Sequence, residues 1–420
     1  MQLSTKVEGP DVPNHPKSIM MAVIAFVVFN IGIGTVMGTP GVLLPKMAGY
    51  LGVSPAMAAG GMALVILASA VFSPQIGSLA VKHSLRGIVG AAAIMLTLAW
   101  VLLAFTHSYW VYLAVYGLLL GPSMSITGSV LAPTLVTRWF TRHRGLAIGL
   151  VHIPIMVAIM PIATQLLIQH FGLQTTFLLI AAITIVTLGP CAFLIIDWPP
   201  HQNAAGESVT TAPPPAAYTI PKLLADPRFW ALSVAVAMPN TSSTLLGLHL
   251  VSMAEHWGIT PVAAAGLASI MSLGGMIGTV AFGSIADKIG GARTLALMAV
   301  LDCALWLLFL AGFAYMGLVA LIFTIGLVGS GAVPAMSKAL ADRFGAASFS
   351  RAIGLMVPVT LPILILGQIV PGLMVKGGHG DYSPVVVMMS VGFAVASVLA
   401  LWAAGGLRGS PPAAAEPATA

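Results

Sequence analysis

The chain has 420 residues, of which 58% are hydrophobic and only 7% are charged, and its formal net charge is +6. An ordinary soluble domain carries about 25% charged residues, so this composition excludes a water-soluble surface of the usual kind. The basic residues are scattered in pairs between apolar runs and form no basic stripe, which argues against nucleic acid as a partner. We therefore predict an all-α membrane protein whose main solvent is the lipid bilayer.

The apolar segments come in the number and length of membrane spans. Residues 1–18 are polar and lack an apolar core with a cleavage site, so we expect no removable signal peptide. A span needs roughly 20 apolar residues to cross about 30 Å of hydrocarbon. The sequence predicts twelve transmembrane helices, at about 19–45, 56–81, 87–106, 109–137, 145–169, 174–196, 229–254, 262–286, 293–312, 315–341, 351–375 and 383–405.

These spans divide the chain into five regions. We predict a cytoplasmic N-terminal tail (1–18), a six-helix bundle (19–197), a cytoplasmic linker (198–227), a second six-helix bundle (228–407) and a cytoplasmic C-terminal tail (408–420). The linker is rich in Pro, Ala and Thr and has no helical apolar periodicity between residues 201 and 221, so we expect it to be mobile.

The placement of charge sets the orientation. With a cytoplasmic N-terminus, only Lys46 and Lys376 of the 17 basic residues face outward, as the positive-inside rule demands. Both termini are then cytoplasmic. The composition, rich in Ala and Gly, favours a bacterial inner membrane.

An internal repeat supports this division. LGVSPAMAAG at 51–60 returns as WGITPVAAAG at 257–266, an offset of 206 residues (257 minus 51), and GSLA at 77–80 returns as GSIA at 283–286. Trp100 matches Trp306 at the same offset. A parallel duplication of six helices predicts two pseudo-symmetric bundles, an arrangement typical of transporters that rock around a central site.

Glycines four residues apart predict close helix packing. The pairs are Gly34–Gly38, Gly117–Gly121, Gly145–Gly149 and Gly274–Gly278.

The segment 283–293, GSIADKIGGAR, resembles the loop motif of the major facilitator superfamily between the second and third helices of a half. The resemblance covers nearly the whole chain and implies the twelve-helix major facilitator fold. It also implies that Asp287 caps a neighbouring helix and pairs with Lys288 and Arg293, latching the halves on the cytoplasmic side. In the first copy of the motif, Val81 stands where the acid would be.

The segment 138–150, RWFTRHRGLAIGL, resembles the entry to helix five in the monocarboxylate and oxalate–formate porters. We include its Arg138, Arg142 and Arg144 in the gating motif. The monocarboxylate type carries an Asp and an Arg inside helix eight, where this chain has Gly275 and Thr279. The cation that would meet a substrate carboxylate is therefore missing from this position.

Polar side chains in the predicted spans are the candidates for substrate binding, because hydrocarbon penalises unsatisfied polar groups. Five consecutive ones follow Pro239 in the seventh span, and they either contact substrate or support helix packing. Lys338 is the nearest candidate cation, although it also fits the positive-inside rule. The predicted substrate-binding residues are Asn240, Thr241, Ser243, Thr244, His152, Gln75, Gln368 and Lys338.

Three ionisable residues are candidates for proton coupling. Asp302 lies about 12 Å into the ninth span at 1.5 Å per residue, where a charge costs roughly 2.5–3.5 kcal/mol on insertion scales. His249 follows the polar run, and Glu255 lies at the outer end of the same helix. Each has a structural alternative: Asp302 bonds to a neighbouring helix, His249 is a neutral packing residue, and Glu255 is a solvated helix end.

No phosphate-binding loop, catalytic triad or metal cluster is present in the sequence, so we expect no cofactor, no metal and no enzymatic activity. The resemblance and the polar run predict a secondary active symporter, coupling H+ to a small organic anion such as a monocarboxylate or aromatic carboxylate. We expect it to act as a monomer. Two alternatives stay open: a transporter of a neutral or lipophilic compound, and a membrane sensor on a transporter scaffold.

Overall fold

A computed structural model of the chain describes residues 16–140, 142–199, 201–202, 208–209, 218–377 and 381–405. Most of the predicted tails and much of the predicted linker lie outside these residues. The strands described are His201–Gln202 (β1) and Ser208–Val209 (β2), which pair antiparallel within the predicted linker. All other regular structure in this part of the chain is helical.

The first half is a series of apolar helices. They are α1 (Ser18–Met37), α2 (Pro40–Leu51), α3 (Pro55–Lys82), α4 (Leu85–Phe105), α5 (Tyr109–Val115), α6 (Gly121–Met124), α7 (Ala132–Trp139), α8 (Arg144–Val151) and α9 (Ile155–Leu194). Two π-helical segments, Tyr116–Leu120 and Ser125–Leu131, flank α6. Each precedes a proline, Pro122 or Pro133, whose missing N–H interrupts the regular helical hydrogen bonding.

The second half continues in the same manner. Its helices are α10 (Ile220–Ala225), α11 (Pro227–His256), α12 (Pro261–Ile289), α13 (Gly291–Leu308), a 3₁₀ turn (Phe309–Ala311), α14 (Tyr315–Gly329), α15 (Ala332–Gly377) and α16 (Ser383–Gly405). Two of the long helices are each two helices joined at a glycine with positive φ, Gly172 in α9 (φ 79°) and Gly345 in α15 (φ 74°). Only glycine adopts this conformation without steric cost.

Nine stretches of the described residues are long and apolar enough to cross a membrane. Two of them, Arg144–Leu194 and Tyr315–Pro371, contain 51 and 57 residues and include the glycine joints. The all-α membrane fold is therefore confirmed. The bounds of α3 and α4 agree with the predicted spans 56–81 and 87–106 to within two residues.

Other predicted spans are interrupted. The first is divided between α1 and α2 at Gly38–Thr39, and the fifth between α8 and α9 at residues 152–154. Pro154 cannot donate a backbone hydrogen bond, which explains the second interruption. The tenth span breaks at Ser330 between α14 and α15. Within the predicted linker, the described residues include β1, β2 and α10.

Buried apolar side chains segregate by half. One cluster draws its fully buried members from residues 21–195 and includes Trp100 and Trp139. Two further clusters draw theirs from residues 223–404, one around Phe229 and Phe349 and the other around Trp306. Each half thus buries its own core.

Close glycine packing is confirmed at three of the four predicted pairs. A Cβ at Gly278 would overlap the Leu327 carbonyl of α14, and one at Gly34 would meet Met156 of α9. The prediction was wrong for Gly117, which has no neighbouring atom within 4 Å of the Cβ position. The exception lies in the π-helical segment, where the regular four-residue spacing does not hold.

Candidate functional site

The predicted polar run of α11 is divided between two faces of the helix. Thr241 and Ser242 are buried, whereas Asn240, Ser243 and Thr244 are exposed. The Thr244 hydroxyl donates to the carbonyl of Asn240 in its own helix at 2.8 Å. The run therefore offers buried contacts to neighbouring helices on one face and accessible polar groups on the other.

The buried face of this run meets α15. Gln368 donates from Nε2 to the Thr241 carbonyl at 3.2 Å, which brings two predicted substrate residues together. The Oγ1 atom of Thr241 and the Oε1 atom of Gln368 are buried and have no hydrogen-bond partner within the described part of the chain. These two oxygens leave hydrogen-bonding capacity between α11 and α15.

The same run meets α13 through a bond that the sequence did not reveal. The indole Nε1 of Trp306 donates to the Ser242 hydroxyl at 2.9 Å. Asp302, one turn earlier in α13, is 1% exposed, and neither carboxylate oxygen has a partner among the described residues. The predicted alternative, in which Asp302 bonds to a neighbouring helix, finds no support in these contacts.

The other two proton-coupling candidates lie further along α11. His249 is half-buried, and its ring centroid lies 6.4 Å from that of Tyr382 in an edge-to-face arrangement. Glu255 belongs to α11, but its side chain lies outside the described residues. The contacts of the described residues do not bring the His249 side chain to Asp302.

His152 lies at the break between α8 and α9, where Asn30 of α1 also binds. The His152 Nδ1 contacts the Ile148 carbonyl at 2.9 Å, and its ring packs on Phe29 with 4.6 Å between centroids. Asn30 donates to the Ile153 carbonyl at 3.1 Å and accepts from the amide of Met156 at 3.0 Å. Asn30, which no sequence pattern singled out, thus satisfies backbone groups that the break exposes.

Two predicted substrate residues, Gln75 and Lys338, have no hydrogen bond with the polar run of α11 among the described residues. Gln75 is exposed on α3 together with Val71 and Leu79, so it lies on an apolar, outward-facing stripe. Lys338 is engaged by the carboxylate of Asp342 one turn away. The structure does not bring either side chain to Thr241.

We call the end of the bundle that carries Lys82, Arg144, Asp287 and Lys288 the basic end. There the carboxylate of Asp287 accepts from the amides of Gly145 at 2.7 Å and Leu146 at 2.9 Å, at the start of α8. A carboxylate at a helix N-terminus satisfies free amides and complements the helix dipole. These two bonds give Asp287 the position of a helix cap, as the family resemblance implied.

The basic residues at this end have other partners. Within the described residues, Lys288 and Arg293 are exposed and form no ion pair with Asp287, which corrects the pairing that the family resemblance implied. Arg138 donates to the Ala80 carbonyl and lies 4.7 Å above the ring of Trp198.

The other two arginines of the gating motif lie nearby. Arg144 donates to the Phe140 carbonyl at 2.9 Å and lies within electrostatic range of Asp342 and Asp287. Arg142 is exposed.

Two helix crossings bring the halves together at the basic end. In one, α8 meets α12, where a Cβ on Gly283 would overlap the Gly145 carbonyl. In the other, α3 meets α15, where a Cβ on Gly77 would overlap the Ser350 carbonyl. The repeat offset relates Gly77 to Gly283, so the two crossings are equivalent positions of the two halves.

Comparisons with known proteins bear on these observations. Residues 20–249 match the family model described as Major Facilitator Superfamily. The chain is 28% identical over 309 residues to monocarboxylate transporter 13 of Bos taurus, covering 72% of this chain and 70% of that protein.

Solved structures match over almost the full length. A crystal structure of the Escherichia coli fucose:proton symporter aligns with a TM-score of 0.69 at 15% identity, covering 92% of this chain and 98% of that one. A bacterial homologue of the iron transporter ferroportin, in an outward-facing state, aligns with a TM-score of 0.66 at 16% identity, covering 92% and 99%. At these identities the structural likeness concerns the fold alone.

Proposed function

The chain belongs to the Major Facilitator Superfamily and is a multi-pass membrane transporter rather than an enzyme, and from this premise we propose proton-coupled transport of a small organic anion. The observation that carries the proposal is Asp302, a buried carboxylate without a hydrogen-bond partner among the described residues. Such a group is costly as a charge in hydrocarbon and is suited to carry an exchangeable proton.

The proposed substrate is a monocarboxylate or an aromatic carboxylate. In its favour are the resemblance of residues 138–150 to the monocarboxylate porters and the 28% identity to monocarboxylate transporter 13. The proposed contacts are Asn240, Thr241, Ser243, Thr244 and Gln368. Protonation at one acid would offset the charge of the substrate anion while the site reorients.

The proposed architecture has twelve spans in two six-helix bundles. The glycine joints at Gly172 and Gly345 divide two of the nine apolar stretches into two spans each, and Pro227–His256, of 30 residues, supplies one more. At 1.5 Å per residue this helix is about 45 Å long, enough to cross the hydrocarbon core. Monomeric function in a bacterial inner membrane is part of the same proposal.

The proposed orientation places the basic end in the cytoplasm, in keeping with the positive-inside rule. The halves meet there through the crossings of α8 with α12 and of α3 with α15. We therefore assign this arrangement to an outward-facing state of the alternating-access cycle.

A neutral or lipophilic substrate is the second candidate, and one observation favours it. Thr279, at the place where monocarboxylate porters carry a cation, bonds to the Gly275 carbonyl of its own helix at 2.8 Å. Lys338 is already paired with Asp342. A site without a free cation among the described residues suits an uncharged ligand as well as a protonated acid.

Uptake into proteoliposomes tests the proposal. Labelled lactate, pyruvate and benzoate are offered with and without an inward proton gradient to wild type, Asp302→Asn and the control Asp381→Asn. Asp381 is an exposed acid outside the spans that accepts from the Ser383 amide at 2.8 Å, a bond that asparagine retains.

We expect gradient-driven accumulation of at least one acid in wild type and the control, and its loss in Asp302→Asn. Accumulation of an acid in all three proteins would overturn the role of Asp302. No accumulation by folded wild type, together with transport of an uncharged solute that carboxylates do not inhibit, would replace the anion proposal with the second candidate.

A further inference from the structure

A buried polar chain crosses three helices of the second half. It consists of Asp302 and Trp306 in α13, Ser242 and the adjacent Thr241 in α11, and Gln368 in α15. Trp306 is bonded to Ser242 at 2.9 Å, and Gln368 to the Thr241 carbonyl at 3.2 Å. The chain leads from a buried acid to the helix that carries the accessible polar run.

The acid and the indole share one face of α13. Side chains four residues apart lie one above the other on a helix, so Asp302 is on the face from which Trp306 reaches α11. Trp306 is fully buried, and Asp302 is 1% exposed. The indole N–H is therefore a hydrogen-bond donor at about one helical turn from a carboxylate that has none.

The bonds leave several polar oxygens of this chain without partners among the described residues. Both oxygens of Asp302, Oγ1 of Thr241 and Oε1 of Gln368 lack partners within the described residues. A buried acid of this kind is tolerated with a proton, but the ionised form needs a donor. The indole N–H of Trp306, four residues along α13 and now bonded to Ser242, is a donor on the same helix face as this carboxylate.

The corresponding positions of the first half have no such chain. At the repeat offset of 206 residues, Leu96 stands in place of Asp302 and Trp100 in place of Trp306. The Trp100 indole is also buried, but it stacks on Phe177 and its nitrogen has no partner in the described residues. A buried tryptophan at this position thus packs the bundle without a hydrogen bond, so the bond of Trp306 is not a requirement of packing.

Other titratable groups on the surrounding helices are distant or already engaged. The elements packed against α13 are α11, α12, α14, α15 and α16. Their titratable and charged groups with described side chains, together with the residue just before α16, are Arg228, His249, Asp287, Lys288, Tyr315, Lys338, Asp342, Arg343, Arg351 and Tyr382. Most lie at the basic end. His249 is seven residues beyond Ser242 on α11, and its ring faces that of Tyr382.

We propose that Trp306 is a positioning residue whose indole N–H is exchanged between Ser242 and Asp302. Loss of the proton from Asp302 then changes the hydrogen bonding of the buried face of α11, where Ser242 lies beside Thr241. With Asp302 protonated, the indole holds Ser242 and the face is ordered. With Asp302 ionised, the indole turns to the carboxylate and Ser242 is released. This inference rests on the proposed proton-coupled function and assigns its coupling element.

The test compares Trp306→Phe with Trp100→Phe, its matched control in the first half. Both substitutions replace a buried indole with a smaller phenyl ring that has no N–H, so the change in volume is the same at the two positions. Two transport modes are measured in proteoliposomes: accumulation driven by a proton gradient, and exchange of labelled for unlabelled acid without a gradient, using the acid that wild type accumulates best. We expect accumulation by Trp306→Phe to fall about tenfold, a factor that lies within the usual range for energetic coupling between two sites. Exchange should be retained. Trp100→Phe should retain both.

A second readout needs no substrate. Infrared difference spectra on changing pH record the carbonyl band of a protonated carboxyl, and the band lost in Asp302→Asn belongs to Asp302. Its midpoint pH should rise in Trp306→Phe, because the ionised form loses its donor, and should be unchanged in Trp100→Phe. Ser242→Ala, which removes the competing acceptor, should lower it.

The outcomes separate the two proposals. Wild type that accumulates no acid, with the Asp302 band shifting as described, would reject the transport proposal and keep the exchange of the indole. Proton-driven accumulation that survives in Trp306→Phe, or an Asp302 band that neither Trp306→Phe nor Ser242→Ala moves, would overturn the role of Trp306. If Trp306→Phe does not fold, Ser242→Ala carries the same comparison.

Discussion

At the basic end, the crossing of α8 with α12 and the crossing of α3 with α15 occupy equivalent places in the two halves. Both bring a glycine against a backbone carbonyl, Gly283 against Gly145 in the first and Gly77 against Ser350 in the second. Only the first adds a carboxylate, since Asp287 accepts from two amides of α8. Close packing is therefore common to both crossings, and charged hydrogen bonding belongs to one.

The difference indicates which crossing separates more easily. Parting α8 from α12 leaves a carboxylate and two amides to be solvated, whereas parting α3 from α15 exposes small side chains and backbone. Val81 stands at the Asp287 position of the first copy, so the repeat has kept the acid on one side only. We expect the α3–α15 crossing to open first when the transporter turns to face the cytoplasm.

The largest effect is expected from removing the charge that distinguishes the crossings. Asp287→Ala deletes two hydrogen bonds to a charged group, each worth about 1.5–3 kcal/mol. The closed basic end should lose stability relative to the open one, and uptake should fall at least about tenfold, since roughly 1.4 kcal/mol is a factor of ten. Distances between spin labels on α8 and α12 measure the opening directly.

The matched control is Val81→Ala, at the equivalent place of the other crossing. The Val81 side chain has no polar atom, so the substitution should change uptake and the spin-label distances by much less. Equal effects of the two substitutions would mean that Asp287 contributes no more than the volume of its side chain.

A smaller and symmetrical effect is expected from the glycines that both crossings share. Gly283→Ala and Gly77→Ala each place a methyl group against a backbone carbonyl, and overpacking of this kind costs about 1–3 kcal/mol. Both variants should favour the open basic end, shown by faster labelling of cysteines placed on α8 and α3. A response from one glycine alone would show that only that crossing closes the structure.

Much of the fold could be predicted from the sequence. Apolar length alone located α3 and α4 to within two residues, and the repeat offset alone related Gly77 to Gly283. The interruptions were harder to predict, because apolar composition continues through Gly38 and through residues 152–154. A window that measures hydropathy does not register a missing backbone hydrogen bond.

The candidate site was predictable in its residues but less so in its contacts. The polar run of α11 and Asp302 stood out because hydrocarbon makes polar groups conspicuous. The bond from Trp306 to Ser242 did not, because an indole in an apolar span has the pattern of ordinary packing. Gln75 was chosen for its polarity alone, and its exposed position on α3 depends on which face of that helix meets α15.

Asn30 reverses the comparison between the halves, since here the first half carries the polar group. Val236 is buried at the matching position of the second copy. Asn30→Ala would leave the Met156 amide without its hydrogen-bond partner, at a cost of about 1–3 kcal/mol, while the Ile153 carbonyl keeps the bond from the Ile155 amide.

We expect a lower midpoint of thermal unfolding for Asn30→Ala in detergent, and a smaller decrease for the control Val236→Ala. If the midpoint for Asn30→Ala were unchanged, water would have to satisfy the Met156 amide at the break between α8 and α9.

The smallest effect is expected at two arginines that the repeat relates with an offset of 205 residues (343 minus 138). Arg343 pairs with Asp226 at 2.9 Å and is 25% exposed, and partly exposed ion pairs contribute at most about 1 kcal/mol. Arg138 is buried and bonds to a carbonyl and an aromatic ring instead. Arg343→Ala should therefore lower the unfolding midpoint less than Arg138→Ala.

Salt separates the two arginines further. Raising the salt from about 0.1 to 1 M shortens the screening length from about 10 to 3 Å and should abolish the effect of Arg343→Ala only. Equal salt dependence of both variants would place the two arginines in the same environment and remove this asymmetry between the halves.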